Sequence, residues 1–136
     1  MLTINEIFYS IQGESSYTGR PCVFVRLTAC DLRCSWCDTT YAFDNGKSFS
    51  VEDVVATVDG YKCSLVEITG GEPLLQDDVY LLMQCLLEAG KTVMVETGGH
   101  LDTSRVPSEV IKVIDVKCPG SGESHRNDLD NLGRLY

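Results

Sequence analysis

Four short runs rich in β-branched and aromatic residues, Val23–Leu27, Leu65–Thr69, Thr92–Glu96 and Ile111–Lys117, constrain this chain more than any other feature. Each ends in a polar or glycine-rich motif, and the stretches between them change period, as buried strands separated by helices do. Ser50 opens the first helix, with Asp53 three residues on, Val51, Val54, Val55 and Val58 at helical spacing, and Gly60 as its stop. Pro73 starts the second, whose apolar positions include Leu74, Leu75, Val79, Leu82, Met83 and Leu86, and Gly90 ends it. A helical turn around Pro107–Glu109 separates the last two runs. This alternation predicts parallel strands joined by right-handed crossovers, in an open sheet or part of a barrel. From Gly120 to Gly133 the composition shifts to Gly, Ser, Asn and acidic residues, a loop or weak helix. The predicted fold class is therefore α/β: a partial, unclosed parallel (β/α) barrel, short at its C-terminus, in one domain over residues 1–136. Its open edge implies either a fragment or an oligomer that covers it.

Such sheets place their sites at the carboxyl ends of the strands. The motifs fall there: the cysteines after the first run, Gly70-Gly71-Glu72-Pro73 after the second, Glu96-Thr97-Gly98-Gly99 after the third, Asp115-Val116-Lys117 closing the fourth. Alternation puts Glu67 and Thr69 on one face of their strand and Asp115 and Lys117 on one face of theirs. The plainer alternative is an internal salt-bridge network of Glu67, Glu96, Lys117 and Asp115. The formal net charge of −9 argues against nucleic acid or an anionic membrane as partner and favours small molecules or proteins. No apolar run approaches the roughly 18 residues of a membrane span, and the opening MLTINEIF is unlike a signal peptide, so we expect a cytoplasmic chain.

Three of the seven cysteines, Cys30, Cys34 and Cys37, form C-x3-C-x2-C in a loop, within reach of one metal centre. A closed zinc site and a fully ligated cubane each want four ligands, so three clustered thiolates point to an iron–sulfur cluster with one iron open. Zinc completed by Cys63, Cys118 or a histidine is the alternative. Leu32 and Trp36 give the loop an apolar wall that would keep water from the metal. Cys22, Cys63 and Cys85 read as small buried apolar residues or incidental thiols, and His100 and His125 carry no assignment.

The cysteine motif, with Trp36 before its last cysteine and Gly70-Gly71-Glu72-Pro73 closing the next strand, resembles the radical S-adenosylmethionine (SAM) enzymes. That resemblance implies a [4Fe–4S] cluster on Cys30, Cys34 and Cys37 whose open iron binds SAM, reductive cleavage to a 5′-deoxyadenosyl radical, and a low-potential electron donor. It also implies cofactor contacts from Trp36, Asp38, Gly70, Gly71, Glu72, Asp115 and Lys117, with glycines permitting close backbone approach to the methionyl amine. The opening Ile7–Glu14, Gly19-Arg20-Pro21, Phe24-Val25-Arg26 and Cys37-Asp38-Thr39 are similar to the 7-carboxy-7-deazaguanine synthase family, from about residue 4 to about residue 122. Those enzymes contract 6-carboxy-5,6,7,8-tetrahydropterin to 7-carboxy-7-deazaguanine with loss of ammonia, on the way to queuosine.

The same resemblance implies that Ile11, Gln12, Gly13 and Glu14 line the pterin, Arg26 grips its carboxylate, Thr69 touches it, and Thr39 binds a magnesium ion shared with substrate. The residue types suit these tasks: Gln12 offers donor and acceptor, Arg26 a carboxylate fork, Thr39 a hard oxygen. Each has a plainer use. Gln12 and Glu14 could stabilise a turn at Gly13, Arg26 could pair with Glu67, and Thr39 could cap a turn. The strands that finish the family's barrel are absent after Lys117, so the expectation is a cluster-binding homodimer with impaired turnover. A small glycyl-radical activating enzyme, a zinc-bound structural module and an electron-transfer iron–sulfur protein are the competing readings.

Overall fold

The computed structural model describes residues 1–28 and 46–134. Six strands form one sheet: β1 (Leu2–Ile11), β2 (Pro21–Leu27), β3 (Lys47–Phe49), β4 (Leu65–Gly70), β5 (Thr92–Thr97) and β6 (Ile111–Ile114), in the order β3-β1-β2-β4-β5-β6. The expected parallel unit is present, β2 beside β4 beside β5 beside β6. Two antiparallel strands extend it: β1 pairs with β2 from Ile4↔Leu27 to Ile11↔Pro21, and β3 pairs with β1. The result is a mixed, unclosed α/β sheet rather than four parallel strands alone. The N-terminal strand escapes a period-two reading because its register shifts between Ile4 and Glu6, which breaks the alternation midway.

Both main helices, α1 (Val51–Gly60) and α2 (Asp78–Glu88), cover one face of the sheet. Val54 and Val58 of α1 and Val79, Leu82, Met83 and Leu86 of α2 share one apolar core with Val23, Val25, Leu27, Val66, Ile68, Val93 and Val95. Every second strand residue therefore faces the helices, and the others, among them Phe24, Arg26, Glu67, Thr69, Met94 and Glu96, are directed to the opposite face. Ser50 caps α1 as predicted, its hydroxyl accepting from the Asp53 N–H at 3.0 Å. Gly90, at φ +81°, follows α2.

Three sequence expectations need correction. Pro73–Leu75 forms only a single 3-10 turn, and α2 begins at Asp78. Gln76 breaks the helix between them: its amide accepts from the Thr3 N–H at 2.8 Å and donates to the carbonyls of Thr3 and Thr28, holding its backbone extended. The fourth parallel strand stops at Ile114 instead of Lys117, because the Asn127 amide takes both the N–H and the carbonyl of Lys117. Between β5 and β6 the chain makes hydrogen-bonded turns, Val106 to Thr103 and Val110 to Pro107, with no helix. After Lys117, among the described residues, two 3-10 turns and the short α3 (Asp130–Gly133) follow, as the composition predicts.

Candidate active site at the carboxyl ends of the parallel strands

Cys30, Cys34, Trp36, Cys37, Asp38 and Thr39 lie outside the described residues. They follow in sequence from Thr28, at the carboxyl end of β2. Cys63, one of the residues offered to complete a zinc site, donates its thiol to the Pro21 carbonyl at 3.4 Å, at the opposite end of β2. The strand between Pro21 and Thr28 spans about 20 Å. Cys22 is fully buried on the polar face of the sheet, and burial, with the neighbouring Glu67 charge, pushes its thiol up to about 12. It is an inert core residue.

On the face away from the helices a cavity of about 270 Å³ opens among Gln12, Gly13, Glu14, Phe24, Arg26, Glu67, Thr69, Gly70 and Glu96. That size approaches the lower end of the roughly 300–1,000 Å³ of small-molecule sites. Five of the residues expected to meet a substrate, Gln12, Gly13, Glu14, Arg26 and Thr69, line it. Ile11, expected with them, does not; its side chain is 58% exposed.

The cavity is built by pairing register. Thr69 lies across from Arg26, and Glu67 across from Phe24 and Met94. Gln12 follows the end of β1 and swings its side chain under this surface: it is 2% exposed, its Nε2 donates to Glu67 Oε1 at 3.0 Å, and its Oε1 accepts from the Glu14 N–H at 3.1 Å. The amide thus shapes the Gly13 turn, which leaves the turn's backbone, rather than the amide, to meet a ligand. Arg26 pairs through Nε with Glu6 at 3.0 Å, and its charge also acts on Glu67. Its guanidinium carbon lies 5.7 Å from the Phe8 ring centroid, and Phe8 stacks on Phe24 at 5.1 Å.

Two cavity residues, Glu67 and Glu96, were legible only as members of a salt-bridge network, and no lysine reaches them among the described ion pairs. Lys117 pairs with Asp115, a link which that network did include. Burial pushes Glu67 above the usual carboxylate range, opposed by the Gln12 hydrogen bond. Glu96 is pushed up to about 7, first by burial, then by the charges of Glu67 and Glu14, against one hydrogen bond from Thr69 Oγ1 at 3.3 Å. It is a group able to exchange a proton near neutral pH.

Beside the cavity, Gly70 takes φ +115°, and a Cβ there would lie 2.1 Å from the Leu27 carbonyl oxygen. Only glycine fits this crossing of β4 past the end of β2. Gly71 donates its N–H to Leu27 at 3.3 Å. Glu72 points inward, fully buried, and accepts from the Leu74 N–H (3.1 Å), Thr97 Oγ1 (2.8 Å) and the Gly98 N–H (2.7 Å). Burial still raises it. His100, given no role from sequence, stands with Nδ1 3.9 Å from the same carboxylate. Asp115 and Lys117 follow β6 directly, the Asp115 N–H bound to the Thr97 carbonyl at 3.0 Å. Side-chain-free glycines, strand-end carbonyls and an underlying carboxylate suit the cationic amine of a SAM molecule.

Comparisons with known proteins agree with this geometry. The model of the Radical SAM superfamily matches residues 24–116. The chain is 49% identical over 136 residues to the 7-carboxy-7-deazaguanine synthase of Koribacter versatilis, covering 98% of this chain and 60% of the relative. To the 7-carboxy-7-deazaguanine synthase of Chlorobaculum tepidum it is 46% identical over 131 residues, covering 96% and 60%. The crystal structure of QueE from Escherichia coli superposes with a TM-score of 0.85 at 27% identity, covering 98% of this chain and 68% of that one. The chain thus spans about 60% of the length of these curated relatives. A family match over more than half its residues, on a sheet whose motifs gather at the strand ends, makes this chain a member of the radical SAM superfamily.

Proposed function

We propose that this chain is a 7-carboxy-7-deazaguanine synthase, contracting the ring of 6-carboxy-5,6,7,8-tetrahydropterin with loss of ammonia. The observation that carries the reading is the cavity in which Gln12, Gly13, Glu14, Arg26 and Thr69 converge beside the Gly70–Glu72 turn. When bound, the [4Fe–4S] cluster and SAM supply a hydrogen-abstracting radical. Cys30, Cys34 and Cys37 would hold the cluster, Trp36 and Asp38 would flank the cofactor, and Gly70, Gly71, Asp115 and Lys117 would complete its site. Arg26 offers guanidinium N–H groups to the substrate carboxylate, with the stacked Phe8 and Phe24 as its platform. Glu96 holds or releases a proton at its carboxyl beside the substrate, a capacity that loss of ammonia requires. Thr39 would supply one oxygen to Mg2+. Kinship with the synthases supports the remaining parts of the proposal: a homodimer, in the cytoplasm, served by a low-potential electron donor.

Anaerobic reconstitution with iron and sulfide, then incubation with SAM, reductant, Mg2+ and carboxytetrahydropterin, tests the proposal by mass spectrometry of the deazapurine. Product that disappears in Cys34→Ala supports it. SAM cleavage without product sinks the substrate assignment, and zinc without a cluster sinks the radical chemistry.

A further inference from the structure

The turns after β4 and β5 are joined through one side chain. Thr97 Oγ1 lies 2.8 Å from Glu72 Oε1, and the Gly98 N–H donates to Oε2 at 2.7 Å. The Thr97 hydroxyl accepts the Gly99 N–H at 3.4 Å, so its single proton is committed to the carboxylate. With the Leu74 N–H, all these donors treat Glu72 as an acceptor, the pattern an ionised acid needs. His100, itself 2% exposed, walls the same carboxylate. The next strand end is locked to the pair as well: a Cβ on Gly99 would fall 2.7 Å from Ile114 Cγ2 and 2.9 Å from the Asp115 carbonyl oxygen.

We infer that Thr97 is a positioning residue for SAM: by fixing Glu72 it sets the Gly70–Gly71 backbone whose carbonyls meet the cofactor's ammonium. The inference rests on reading that turn as the amine site. The physical case has two parts. Carbonyls can converge on a cation only if the turn holds one conformation, and the Gly71 and Leu74 N–H groups are already spent on Leu27 and Glu72. A negative charge fixed beneath them in a low-dielectric interior adds attraction that a mobile carboxylate would lose to solvent. The sequence motif names Glu72 but does not name Thr97, which acts from another strand.

The test follows the electron paramagnetic resonance spectrum of the reduced cluster as SAM is titrated into the reconstituted full chain. Thr97→Val removes the hydroxyl and keeps the shape; it should weaken SAM binding about tenfold, with iron and sulfide content and the cofactor-free spectrum unchanged. Thr97→Ser should bind within about twofold of wild type. Thr97→Ala, which lacks the same hydroxyl, replaces the valine variant if circular dichroism shows that variant unfolded. SAM binding at wild-type strength without the hydroxyl overturns the inference, as does a serine variant as weak as valine. A wild-type spectrum that ignores SAM overturns the reading of the turn, and the inference with it.

Discussion

Glu72 and Glu96 are both carboxylates at the carboxyl ends of adjacent parallel strands, both raised by burial, and they are built for opposite ends. Glu72 is fully buried under three hydrogen bonds that tie two turns together. Glu96 has one long hydrogen bond from Thr69, two acidic neighbours and a cavity in front of it. A saturated carboxylate resists proton exchange and works as a joint; an under-supplied one stays available for chemistry. The same residue type, raised by burial in both places, is a structural part in one and a reactive group in the next.

Removing the joint should cost most. Glu72→Ala strands the Leu74 and Gly98 N–H groups and the Thr97 hydroxyl in the interior, and we expect a loss of about 3–5 kcal/mol in urea unfolding. A loss below about 1 kcal/mol would erase the contrast between the two acids. Glu96→Gln should act in a pH-dependent and opposite sense. Because Glu96 is raised from 4.5 to about 7 in the folded protein, its ionisation opposes folding as pH climbs through that window. The variant should therefore gain on wild type by about 1–3 kcal/mol between pH 4.5 and pH 8, read from unfolding midpoints along the series. No relative gain would mean that Glu96 ionises as an ordinary surface acid. The smallest effect belongs to Thr69→Val, which removes the Thr69 hydrogen bond to Glu96. It should cost below about 1 kcal/mol and move the Glu96 midpoint upward by nuclear magnetic resonance titration. The same substitution at Thr97 should instead be felt in SAM binding.

Much of the parallel unit was legible because burial on one face leaves a strict alternation: Val23, Val25 and Leu27, Val66 and Ile68, Val93 and Val95 all meet the helices. What escaped depends on contacts distant in sequence. Pro73 looks like a helix start until Gln76 is drawn to Thr3 and Thr28, and Ile111–Lys117 looks like one strand until Asn127 claims Lys117. The site divides the same way. Arg26, Thr69 and the Gln12 turn were readable as candidates, and so was the hold of Gln12 on the Gly13 turn, but the second bond of its amide depends on Glu67, and the inward turn of Glu72 on Thr97. No local pattern encodes either. The residues best marked by motif, Cys30, Cys34 and Cys37, fall outside the described part of the chain.

The mixed sheet also sets an order in time. Ile11 reaches Pro21 across a short loop, whereas Val23 meets Val66 only after residues 29–45 and all of α1 have been gathered in. Loop closure costs more as the loop lengthens, and non-local parallel pairing is slow. The β1–β2 hairpin should thus gain amide-exchange protection early in refolding, and β4 later. Since Gln12 rides on the hairpin and Glu67 on β4, the cavity comes into existence only when this parallel pairing docks, and the hairpin alone holds just one of its walls.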